Sequence, residues 1–184
     1  MKRCNRLGVL AASLLFTLSL GLGSVLAAGD PEPSPPRSDV KSGKKKSGDK
    51  KEDKDKKKFE DEFLDGYRAA FSTIYDRHDY PGAISQLKAL GRDDRADVAN
   101  LIGYAYRKLG DYKVSQVWYE RALKADPAHV RTWQYYGLWQ LEQGNREQAK
   151  YHLARIGSLC GTDCAEYRAL ADALGKASGT ALAY

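Results

Sequence analysis

The chain has 184 residues, long enough for one domain with appendages. It carries 30 Lys and Arg against 24 Asp and Glu, a formal net charge of +6. That charge is unevenly spread along the chain.

Residues 1–27 read as a secretory signal peptide. Lys2, Arg3 and Arg6 form a positive start, an apolar run follows, and Val25-Leu26-Ala27 offers the small residues that a signal peptidase reads. The alternative is an uncleaved anchor, since Leu7 to Ala28 spans 22 residues and about 20 cross a bilayer. Both readings export the rest of the chain, because positive residues stay inside. A periplasmic location is the expectation. Cys4 precedes the apolar run and leaves with it.

Residues 28–58 read as a disordered Pro/Lys-rich linker. Pro31, Pro33, Pro35 and Pro36 favour extended backbone. The following KSGKKKSGDKKEDKDKKK has almost nothing to bury and cannot offset its ordering entropy. This linker holds eleven bases against seven acids, so the basicity belongs to it and the body is nearly neutral. It serves as a spacer, or it contacts an anionic membrane surface or cell-wall polymer. Nucleic acid is not an expected partner, since the linker lacks interleaved aromatics and lies in an exported chain.

From Phe59 onward the periodicity is helical throughout. A first helix over about 60–77 places Phe63, Tyr67, Ala70, Phe71 and Ile74 on one face, and Pro81 suits the first turn of the next. Within ADVANLIGYAYRKLGDYKVSQVWYERALKADP, residues 96–127, two amphipathic helices flank Gly110 and a capping Asp111. Ala99, Ile102, Gly103 and Tyr106 mark the first; Tyr112, Ser115, Tyr119, Ala122 and Leu123 mark the second. A shift of 34 residues takes Gly103 to Gly137, Gly110 to Gly144 and Tyr119 to Leu153, and places Trp133 at a helix start. A shift back by 32 takes Asp111-Tyr112 to Asp79-Tyr80, with Phe71 where a glycine would be expected.

This pattern resembles the tetratricopeptide repeat (TPR), a 34-residue helix-turn-helix unit. The resemblance implies an all-α fold: a short right-handed solenoid of about three repeats, at 62–93, 96–129 and 130–161, covered by a capping helix and tail at 162–184. Tyr106, Tyr119 and Tyr136 fall on consensus positions and are expected in the core. Trp118, Tyr104 and Tyr135 fall off them and are candidates for exposure. The resemblance also implies a concave groove lined by the first helix of each repeat. It would present Asp65, Arg68, Ser72, Tyr75 and Asp76; then Asp97, Asn100, Tyr104, Arg107 and Lys108; then Arg131, Gln134, Leu138, Leu141 and Glu142. Arg68, Asn100, Arg107, Lys108 and Arg131 could hold carbonyls or carboxylates of a bound segment. The set does not match the full carboxylate clamp of some TPR cochaperones.

Cys160-Gly-Thr-Asp-Cys164 links the last repeat to the capping segment, with Asp163 as an expected N-cap. A structural disulfide is the expectation; a redox pair or a metal site with His152 nearby are the alternatives. His78, His129 and His152 match no catalytic spacing, Gly157 to Gly161 is no nucleophile elbow, and Gly43 to Gly48 lacks phosphate-loop spacing. No cofactor motif is present. The sequence therefore points to a non-enzymatic protein-interaction scaffold or adaptor in the cell envelope. A surface-attached structural protein and a thiol- or metal-handling protein stand as alternatives.

Overall fold

The structure is a computed structural model and describes residues 50–180. The signal peptide and the linker up to residue 49 lie outside the described residues. Seven helices follow in order: α1 Lys50–Tyr75, α2 Tyr80–Ala89, α3 Ala96–Lys108, α4 Tyr112–Ala125, α5 Val130–Glu142, α6 Arg146–Cys160 and α7 Ala165–Thr180. No strand occurs among the described residues, and none of the described helices is long and apolar enough to cross a membrane.

Local chemistry sets the helix ends. Asp79 accepts the Gly82 N–H at 2.9 Å and Pro81 occupies the first turn of α2, as its fixed φ allows. Asp111 caps α4 by accepting the Val114 N–H at 3.3 Å. Between the paired helices, Gly110 and Gly144 have φ of +79° and +77°, a region that residues with a Cβ rarely adopt. The 34-residue shift therefore relates two identical backbone reversals.

Three hairpins, α1/α2, α3/α4 and α5/α6, stack side by side, with α2 on α3, α4 on α5, and α7 against both α5 and α6. The described residues thus form an all-α repeat solenoid with a covering helix. Its core is continuous from Phe63 on α1 to Leu174 on α7. Tyr119 and Tyr136 are buried as expected, whereas Tyr106 is only partly buried against the core.

Two features depart from expectation. Helix α1 begins at Lys50, so residues 50–58 are helical where a disordered linker was expected. Lys and Glu are good helix formers, and Lys58–Glu62 adds an i,i+4 ion pair at 3.8 Å. At the far end, Asp163 is not the N-cap. The Cys164 carbonyl accepts the Arg168 N–H at 3.2 Å, so α7 starts one residue later than the capping pattern suggested.

Helix α7 does what a terminal helix of a solenoid must: it places Leu170, wholly buried, over Gly137 of α5. Leu170→Ala should lower the stability measured by urea unfolding by about 2–5 kcal/mol. A loss below about 0.5 kcal/mol would mean that α7 does not seal the core.

Candidate peptide-binding face

The face expected to be a groove is built from α1, α3 and α5, but much of it is filled by its own side chains. Tyr75, Tyr104 and Tyr135 form a ladder across these helices. The Tyr75–Tyr104 ring centroids are 5.4 Å apart and those of Tyr104–Tyr135 5.0 Å. Above the middle ring the Tyr75 and Tyr135 hydroxyls meet at 3.0 Å. Phe71 extends the ladder, 4.4 Å from Tyr75. Tyr104 is therefore 5% exposed and Tyr135 fully buried, correcting the expectation that both could be at the surface. Rings meeting across three helices gain contact and exclude water together, which no position within a single helix reveals.

A charged strap lies beside the ladder. Arg107 of α3 donates through Nε and one terminal nitrogen to the two Glu142 oxygens of α5, both at 2.8 Å. This is the bidentate geometry that makes Arg–carboxylate pairs strong. Arg107 is 6% exposed, and its Nε and one terminal nitrogen are committed to the fold. Asn100 and Gln134 occupy equivalent positions on α3 and α5 and are 1% and 3% exposed. The Asn100 Oδ1 and Gln134 Nε2 atoms have no hydrogen-bond partner among the described residues. Leu138 is buried as well.

What stays accessible is the rim. Arg68 is exposed and bonds Asp65 at 3.2 Å, and the Ser72 hydroxyl donates to Asp76 at 2.6 Å. Tyr75 and Leu141 are partly exposed. Lys108 is exposed, with its ammonium 5.8 Å from the Tyr104 ring centre. Asp97 is tied to Arg95 at 3.1 Å. Arg131 is half-buried and its charge is felt by Tyr67, Tyr75 and His129, yet no acid lies within ion-pair distance of it among the described residues. The structure thus brings Tyr75, Tyr104, Arg107, Gln134 and Leu138 together inward, and leaves Arg68, Lys108 and Arg131 around them. Tyr135 and the Arg107–Glu142 pairing were invisible in the sequence. The first depends on Tyr75 and Tyr135 reaching each other from α1 and α5, the second on the packing of α3 against α5.

Burial governs the ionisation of this region. It pushes the Tyr67 and Tyr75 hydroxyls well above the usual tyrosine range, helped by Asp97 for Tyr67 and by Tyr135 for Tyr75. Tyr136 is pushed up to about 12, by burial and then by the Glu120 carboxylate it bonds at 3.1 Å. Burial also lowers His129 and His152. At the far end of the solenoid Cys160 and Cys164 form a disulfide with Cα atoms 6.0 Å apart. It joins the last residue of α6 to the residue before α7.

Two expectations follow. Replacing Glu142 by Gln weakens a charge-assisted bond while Arg107 stays buried, at a cost of about 1.5–3 kcal/mol; Glu142 is 41% exposed by side chain, which keeps the effect below that of a fully buried pair. An unchanged urea midpoint would show that the strap is not formed. The folded state also resists protonating His129 and His152, whose ordinary value is 6.5. The unfolded chain then binds more protons as pH falls below about 6.5, so stability declines there. The tyrosines act oppositely: above their ordinary value of 10.0 the unfolded chain loses protons that the folded chain keeps, and stability declines again. Urea midpoints across both ranges test this, with a smaller acid decline in His152→Gln.

Comparison with known families and structures agrees with this architecture. The tetratricopeptide repeat family profile matches residues 96–129. No curated protein sequence matches the chain. Among solved structures, the first TPR of Spaghetti (RPAP3), bound to the HSP90 peptide SRMEEVD, aligns with a TM-score of 0.54 at 16% identity, over 65% of this chain and 92% of that one. The Yersinia enterocolitica type III secretion chaperone SycD, in complex with a peptide of the translocator YopD, aligns with a TM-score of 0.54 at 18% identity over the same shares. With the helix pairs in register and the repeated glycine turns, residues 96–129 match the tetratricopeptide repeat, and the described residues share the stacked helix-pair fold of these neighbours.

Proposed function

We propose that this chain is a non-enzymatic interaction module of the cell envelope, exported by its amino-terminal segment, that holds a peptide or a partner helix against its inner face. The observation that carries the reading is Arg131: a half-buried guanidinium beside the tyrosine ladder, without an acid in ion-pair range among the described residues. A guanidinium so placed favours a carbonyl or carboxylate brought by a partner. Arg68 and Lys108 add two further cations on neighbouring helices. Both solved neighbours were captured with peptides, which supports the same class of ligand.

The filled interior shapes the mode of binding. With Asn100, Tyr104, Gln134 and Leu138 buried, a bound segment lies across the rim and over Tyr75 instead of threading between the helices. Recognition is then carried by the basic rim and by the edge of an aromatic platform. The linker acts as a spacer that holds the module away from the surface.

Crosslinking pull-down from envelope extract tests this, with crosslinked peptides mapped by mass spectrometry. Wild-type chain and a variant lacking residues 28–49 should capture the same partner, with crosslinks near Arg68, Lys108 and Arg131. Arg131→Glu should weaken capture about tenfold or more, since it replaces attraction by repulsion at a partly desolvated point, while helicity by circular dichroism is unchanged. Capture that survives Arg131→Glu but is lost with residues 28–49 would overturn the reading in favour of attachment through the linker. Amino-terminal sequencing of the secreted chain should begin at Ala28.

A further inference from the structure

The Cys160–Cys164 bridge staples the α6–α7 junction locally and adds little to the stability of the fold as a whole. Its closed loop is short, so its entropic effect on the unfolded chain is below the ~3 kcal/mol of a 15-residue loop, and Leu170 and Leu174 already bury α7 against the solenoid. What the bridge does do is concentrate donor atoms. The two sulfurs and a Glu166 carboxylate oxygen all lie within 4.8 Å of one another. The Gly161 carbonyl oxygen stands 3.9 Å from the Cys160 sulfur and 3.3 Å from the Cys164 sulfur. Local structure accounts for the convergence. Cys160 closes α6, Gly161 turns the chain at φ +82°, Cys164 precedes α7 and Glu166 stands in its first turn.

We propose that this cluster is a redox-gated metal site: once the disulfide is reduced, Cys160, Cys164 and Glu166 bind one Zn(II) ion. The chemistry balances with a dithiol as reductant. Two electrons pass from the dithiol to the disulfide, the reductant becomes a disulfide itself, and two thiols form on the protein. Binding Zn(II) then releases the two thiol protons and gives two zinc–thiolate bonds. Zinc–thiolate bonds of ~2.3 Å in tetrahedral geometry place the two sulfurs about 3.8 Å apart, a separation that cysteines with Cα atoms 6.0 Å apart reach once the S–S bond is cut. Two thiolates with one carboxylate suit Zn(II), leaving a fourth position for the Gly161 carbonyl or water. Cys164 at the start of α7 favours its thiolate, because the helix dipole is positive there. Cys160 is exposed and Cys164 and Glu166 are half-exposed, so an ion and a reductant can both reach the site. Oxidised, the cluster is a staple; reduced, it is a metal site. The two states exclude each other because they use the same sulfurs.

Cobalt(II) is the probe, since it takes zinc sites and its thiolate complexes absorb visibly. The full chain reduced with a phosphine, freed of reductant under nitrogen, and titrated with Co(II) should show thiolate-to-cobalt charge transfer and tetrahedral d–d bands. These should saturate at one equivalent, disappear on adding Zn(II), and be absent from the oxidised chain. Glu166→Gln should weaken Zn(II) binding by about tenfold or more in competition with a chelator. Cys160→Ser should lose the dithiolate signature while keeping its helical circular dichroism. No bands in the reduced chain would overturn the proposal, as would equal binding by a Cys160→Ser, Cys164→Ser double variant. Unchanged affinity in Glu166→Gln would remove Glu166 from the ligand set.

Discussion

The close approach of α3 to α4 at Gly103 is the constraint from which the rest of the structure follows. A Cβ at Gly103 would stand 2.9 Å from the Tyr119 ring and 3.3 Å from the Ser115 carbonyl oxygen, so only the absent side chain admits the contact. The Ser115 hydroxyl donates to the Gly103 carbonyl at 2.8 Å across the same spot. With α4 seated this closely, α3 is buried from Val98 to Ala105 and becomes the centre of the molecule. The next hairpin repeats the device at Gly137, where Leu170 and His152 take the space of the missing Cβ. Packing of this kind is dense and intolerant, which keeps the hairpins in register.

Because α3 is central, α1 and α5 flank it closely enough for Tyr75 and Tyr135 to meet over Tyr104. A surface that could have been an open channel becomes an aromatic floor with a charged strap. This trades depth for rigidity. The rim cations sit on helices whose relative positions are fixed by the floor beneath them. The Cys160–Cys164 end is different in character: its sulfurs are accessible, and it is joined to the core through Leu170 and Leu174, with Tyr167 and Ala173 packed beside them.

Architecture was legible in the sequence because it rests on local devices that repeat. Gly103 with Gly137, Gly110 with Gly144, and Asp79 with Asp111 each carry a backbone requirement visible at one position. The inner face was legible only as a set of helix positions. Arg68, Lys108 and Arg131 stand at the rim, whereas Asn100, Tyr104, Arg107 and Gln134 were read with the same periodicity and are buried. Periodicity gives the direction in which a side chain leaves its helix. It does not give the distance to the next helix but one, and that distance decides between groove and floor. The start of α1 failed for another reason: a run of Lys, Glu and Asp serves a solvated helix as well as a disordered tail.

Hydrogen–deuterium exchange followed by mass spectrometry tests the central claim most directly. If stacked hairpins enclose α3, its amides from Val98 to Ala105 exchange only on global unfolding and are the slowest in the chain, while residues 50–58 exchange fastest among the described helices. Exchange of α3 as fast as that of residues 50–58 would contradict the packing on which the whole account stands.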